Sequence, residues 1–220
     1  MRRFLLAFIL IIPFLAHSQM ASIELVVKPV PLPVTLDTAV IRFNESQTGY
    51  NNLSDASKEF YYYINYGRSN PQKFWDSIVK PILRAFPNLK GPEAESLYSD
   101  MIRSGSLSML ALNPSLIRTA QLHARDIGGK HAPPSHTSTD GTDFSSRMRN
   151  IGIKTCANEN IAISSQSTIL SVLLLYLDIG LPDKGHRKSL LDGRLKETGI
   201  GSAPYGKDQT FFVQDLSCTQ

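Results

Sequence analysis

The sequence predicts an α+β fold, a sheet covered by helices. Helical spacing dominates the first half of the chain, and strand-like segments gather late, at 160–163, 197–203 and 210–218. The 220 residues are 42% hydrophobic and 19% charged, the composition of one globular domain of generous size. That composition excludes bulk disorder, collagen-like repeats and a coiled-coil rod. The formal charge of +4 is too small, and its Lys and Arg residues too scattered, for a nucleic-acid partner.

The chain opens on an export pattern. Met1-Arg2-Arg3 is a short positive segment, Phe4 to Ala16 is apolar, and Ala16-His17-Ser18 offers a small-x-small cleavage site. A bilayer span needs roughly 20 apolar residues, and this run is shorter and interrupted by Pro13. The reading is a signal peptide over 1–18, a mature start near Gln19, and a secreted or periplasmic protein without a stable membrane span. A buried helix or an uncleaved anchor is the alternative. In an oxidising compartment the pair Cys156 and Cys218 suggests a disulfide; two buried free thiols are the other option.

Residues 19–52 read as an extended leader arm that adds an edge strand, with 38–43 as a short strand. Ser54 is an N-cap candidate followed by Phe60, Tyr63 and Ile64 at helical spacing. Asn70-Pro71 is a second start, with a kink expected at Pro81. A weaker helix follows from Pro92. Asn113-Pro114 opens a helix buried along Leu116, Ala120, Ala124 and Ile127 and stopped by Gly128-Gly129. A loop with Pro133-Pro134 leads to a short helix from about Thr142. Ser167 caps a helix apolar on all sides, hence buried, and Pro182-Asp183 starts another. Two strands joined by a turn at 204–208 close the chain.

No HExxH, Walker A, G-x-S-x-G or CxxC signature is present. His123 shares the apolar face of its helix and reads as a core residue. His131, beside Lys130, reads as solvated. His136 follows two prolines in a rigidly placed loop, where functional groups concentrate. His186 stands in the first turn of a helix, where the macrodipole favours neutral imidazole. Glu159 enters an apolar strand and needs a partner. Spacing alone links His136, Glu159 and His186 weakly. A nucleophile pair such as Ser138 with His186 is weaker, because no strained turn presents a serine.

The segment from His136 through Asp140-Gly141 to Phe144, Arg147 and Gly152 resembles the HTSPDG…F…R…G element of bacterial CAP-superfamily proteins, the SCP-domain family named for cysteine-rich secretory proteins, antigen 5 and pathogenesis-related 1. Glu159-Asn160-Ile161-Ala162 is similar to that family's ENIA element, and Gly185-His186-Arg187-Lys188-Ser189-Leu190-Leu191 to its GHR-x-x-(I/L)-L element. Glu197 to Gly201 and the helix with Ala120, His123, Ala124 and Asp126 complete the match, which spans about 53–218. The resemblance implies a three-layer α-β-α sandwich with a small, mostly antiparallel sheet. It also implies a cleft lined by His136, Glu159, Asp178 and His186, with Asp178 standing where the family carries a glutamate.

Two functions follow from it. The first is a non-enzymatic module binding a lipid, an envelope component or a protein in that cleft. The second is a divalent-metal-dependent hydrolase with His136, Glu159 and His186 as ligands of a metal such as zinc, two His and one Glu being the ligand set of several catalytic zinc sites. Against the enzyme stands the lack of a second acid other than Asp178, and of an activator for Ser135 or Ser138.

Overall fold

Helix starts in this chain follow cap chemistry. The structure, a computed structural model, describes residue 23, residues 25–164 and residues 167–218; the export segment and its cleavage site lie outside the described residues. Ser54 Oγ accepts the Ser57 N–H at the start of α2 (Asp55–Ser69), and Asn113 Oδ1 accepts from Ser115 and Leu116 at the start of α6 (Pro114–Gly129). Ser167 does the same for α8 (Thr168–Leu177), whose residues are buried nearly all round. The helix near 142 begins at Asp143, the cap of α7 (Phe144–Asn150).

The leader departs from expectation. Residues 38–43 belong to a helix, α1 (Thr38–Glu45), because Asp37 accepts the N–H groups of Ala39 and Val40 and Val40 is fully buried. Asn65 of α2 donates to Asn44 Oδ1 at 2.8 Å. A cap and a tertiary contact thus outweigh the β-preference of Thr38, Val40 and Ile41. Among the described residues the arm adds no strand, and Ile23, Leu25 and Val30 pack against the main core.

The run after Asn70 is continuous: α3 (Pro71–Phe74), a π-turn over Trp75–Val79, then α4 (Lys80–Ala85). Pro81 falls in the first turn of α4, so the irregularity it causes is the wide turn before it. Helix α5 (Pro92–Ser104) follows. Helix α9 (Gly185–Leu190) starts later than Pro182 because 178–184 forms successive turns and Lys184 takes a left-handed conformation.

The strands are β1 (Ala111–Leu112), β2 (Ala157–Ser164), β3 (Glu197–Pro204) and β4 (Thr210–Ser217). They pair in the order β1-β3-β4-β2, parallel only between β1 and β3. One face carries Phe212, Leu216 and Ile200 against α2 and α8, with Phe60 stacked on Phe212 at 4.8 Å. The other carries Ile161, Phe211 and Val213 against Ala120, Ala124 and Ile127 of α6. This is the three-layer α-β-α sandwich. Helix α6 can lie so close because Gly199 and Gly201 of β3 have no side chain beneath it. Cys156 and Cys218 form a disulfide with Cα atoms 5.7 Å apart, across the end of the β2–β4 ladder. Among the described residues no helix is long and apolar enough to cross a membrane.

Candidate functional site

A cavity of about 600 Å³ opens where β2, α9 and two loops meet. Its walls include His136, Asn158, Glu159 and Asn160 on one side, and Leu181 to Asp183, His186 and Ser189 on the other.

His136 is held by its loop. The buried His123 ring bonds the Ser135 carbonyl through Nε2 at 2.8 Å and Ser138 Oγ through Nδ1 at 3.1 Å. Burial lowers the His123 pKa, so the neutral ring donates to the carbonyl and accepts from the hydroxyl. Arg147 donates to the His136 carbonyl at 2.9 Å. Asp126 accepts the Thr139 N–H at 2.7 Å. Burial would raise the Asp126 pKa, but Lys130 and Thr139 pull it down to about 2. His131 is exposed and outside the cavity, where it accepts the Gly206 N–H.

Glu159 Oε1 accepts from His136 Nδ1 at 2.8 Å, and Oε2 pairs with Arg147. The Glu159 side chain is 1% exposed and that of His136 41%. Burial alone would push Glu159 up; the His136 hydrogen bond and the Arg147 charge outweigh it and hold the carboxyl below its usual range.

Asp178 makes the second pair. It ends α8 in a left-handed conformation. Its Oδ1 accepts from His186 Nδ1 at 2.5 Å, and its Oδ2 accepts the Arg187 N–H at 2.9 Å. One residue thus closes α8 through its backbone N–H and holds the first turn of α9 through its side chain. The buried Arg187 guanidinium donates to the carbonyls of Tyr176, Leu177 and Glu93 and to Ser96 and Asp100.

Both cavity imidazoles therefore donate Nδ1–H to a buried carboxylate, which leaves Nε2 as the acceptor on each ring. Glu159 and Asp178 are thus each engaged on both oxygens, while Asp183, also on the wall, is exposed. Ser189, at the wall, donates to the Gly185 carbonyl at 3.0 Å. Among the described residues no three His, Cys, Asp or Glu side chains converge as a metal-holding group. Of the expected set of His136, Glu159 and His186, Glu159 turns one oxygen to His136 and the other to Arg147. The donors that fit a divalent cation are the two Nε2 atoms, with Glu159 and Asp178 orienting the rings from behind.

Sequence reasoning singled out His136, Glu159 and His186, which line the cavity, and Asp178, which bonds His186, but gave no role to Arg147, Arg187 or Asp215. Arg187 lies one turn before the apolar Leu190 in α9, and Asp215 interrupts an apolar strand, so each carried a signal of a buried polar group.

The fold and the paired imidazoles define a small SCP-type sandwich domain. Residues 61–216 match the family model described as CAP, cysteine-rich secretory protein family, and the chain belongs to that family. It is similar to an extracellular protein containing an SCP domain from Bacillus anthracis, at 23% identity and a TM-score of 0.40, covering 59% of this chain and 44% of that one. It is similar to an outer surface protein of Borrelia burgdorferi, at 17% identity and a TM-score of 0.43, covering 58% of this chain and 90% of that one. It is also similar to venom allergen-like protein 4 of Schistosoma mansoni, at 14% identity and a TM-score of 0.44, covering 76% of this chain and 91% of that one. No curated protein matches the chain.

Proposed function

We propose that the protein is an exported, non-enzymatic binding module that takes its ligand in the cleft of His136, Glu159, Asp178 and His186. In this reading residues 1–18 are a signal peptide, 19–52 a leader and 53–220 the SCP-type domain, working in a secreted or periplasmic setting. The export pattern and the disulfide support that setting. One observation carries the binding reading: Glu159 and Asp178, the two carboxylates that hold the cleft imidazoles, are each engaged on both oxygens, so the rings are rigidly placed. Two Nε2 acceptors beside Leu181 and Pro182 suit a ligand with hydroxyl donors on one face and apolar atoms on the other, as an envelope glycan presents. Titration of the protein with peptidoglycan-derived glycan fragments, followed by ring NMR of His136 and His186, tests this. Both rings should shift together and saturably, and His186→Ala should abolish the shift; unchanged ring signals would overturn it.

A second reading, a metal-dependent hydrolase, is favoured by the carboxylate behind each imidazole, the usual support of a metal-binding histidine. Zinc titration by calorimetry of wild type and His186→Ala decides it. Stoichiometric binding lost in the variant supports the reading, and heat identical in the two overturns it.

A further inference from the structure

A second, smaller cavity of about 190 Å³ opens between α7, the segment after it and the start of β2. It shares no wall residue with the histidine cavity. Its apolar walls are Phe144, Met148 and Ile153. Met148 and Ile153 are buried and pack with Leu116 in an apolar cluster separate from the main core. The Arg147 guanidinium lies 5.8 Å from the centroid of the Phe144 ring and helps to seat it.

The rim is cationic. Arg149 and Lys154 are exposed wall residues, and no acidic side chain lines the cavity. Arg149 donates to Ser146 Oγ at 2.7 Å, a neutral partner. Asp143, the acid that precedes α7, stands outside the wall and accepts the Ser146 N–H at 2.6 Å. Two cations beside an apolar hollow, with no acid on the wall, favour an anion joined to an apolar group.

Size limits that group. Cavities that hold a whole small ligand run from roughly 300 Å³ upward. At about 190 Å³ this one accepts a single large side chain, and Met148 is unbranched and adapts to differing apolar shapes. The sheet edge supplies a third feature. Strand β2 is outermost and pairs only with β4. The Cys218 N–H bonds the Cys156 carbonyl at 3.1 Å, so that pair is hydrogen-bonded and the next, Ala157 with Ser217, is not. The N–H and C=O of Ala157, at the cavity wall, therefore turn away from β4.

We propose that this cavity captures the free C-terminus of a peptide chain whose last residue is large and apolar: the side chain enters between Phe144, Met148 and Ile153, and the carboxylate meets Arg149 and Lys154. A peptide end fits better than a fatty acid, because the hollow holds one side chain and the edge of β2 offers partners to a main chain. This site is independent of what the histidine cavity binds.

The test is a titration of the disulfide-bonded protein, its methionine methyls labelled for NMR, with acetyl-Gly-Gly-Phe bearing a free carboxylate. The Met148 methyl should shift saturably while the His136 and His186 rings stay in place. An unmoved Met148, or ring shifts without it, overturns the proposal. The C-terminal amide of the same peptide should bind about tenfold more weakly or worse, and acetyl-triglycine with a free carboxylate should leave Met148 unmoved. Equal binding by either overturns the recognition of a carboxylate or of an apolar residue, respectively. Octanoate binding as tightly as the tripeptide overturns the peptide as occupant. Arg149→Gln with Lys154→Gln, both at exposed positions, should weaken the free acid about tenfold and leave the amide unchanged; wild-type affinity for the acid overturns the role of the two cations.

Discussion

Gly199 of β3 and Leu116 of α6 meet backbone to backbone: a Cβ built on Gly199 would stand 2.0 Å from the Leu116 carbonyl carbon. No side-chain movement relieves such a contact, so Gly199→Ala must push α6 off the sheet. A cost of about 3 kcal/mol or more is expected, at the upper end for overpacking, measured by urea unfolding. A loss below about 1 kcal/mol would show that the helix can yield.

Arg187→Leu should cost about 3–5 kcal/mol, because it strips donors from two buried carbonyls and one part-buried carbonyl at once. Arg187→Lys should recover only part, since an ammonium lacks the planar fork. Thermal melts of the two variants, with ring NMR of His186, check both points. Equal stability of Lys and Arg at this position would contradict the account.

Removing both cysteines as Cys156→Ser with Cys218→Ser should cost roughly 4 kcal/mol, from the chain entropy of a closed loop of this length. Reduction of the wild type should give the same midpoint as the double variant. Amide exchange should quicken first at Ala157 and Ser217, the pair beside the bridge.

Asp126 has a folded pKa of about 2 against an ordinary 3.8. The unfolded chain binds more protons between those values, so its contribution is complete above 3.8 and is withdrawn as pH falls toward 2. Asp126→Asn should therefore be less stable by about 1–2 kcal/mol at both pH 5 and pH 7, the gap narrowing at pH 3. A gap that grows from pH 5 to pH 7 would assign the effect to another group.

What was legible in the sequence was local. Ser54, Asn113 and Ser167 act on N–H groups two or three residues away, and they marked their helices correctly. Residues 38–43 misled because their side chains favour a strand, while the residue that decides the matter, Asp37, precedes them. Strand β2 was read as 160–163, yet it runs Ala157–Ser164; Asn158 and Glu159 gain their place from pairing with β4, which no local pattern records. At the site, His136, Glu159 and His186 drew notice as residue types at element edges, and Asp178 came only through the family resemblance. Arg147 went unassigned because its importance lies in what it touches across the sheet and helices.

The bridge at the foot of β2 and β4 also bears on how the molecule answers a pull. Tension applied beyond Cys218 would, without the bridge, open the β2–β4 ladder like a zipper, starting at the Ala157–Ser217 rung. With Cys218 clamped to Cys156, that force passes into the segment behind α7 instead, and the rungs are never loaded one at a time. A domain fastened in this way resists peeling from its trailing end, whatever fluid drag or attached cargo hangs there.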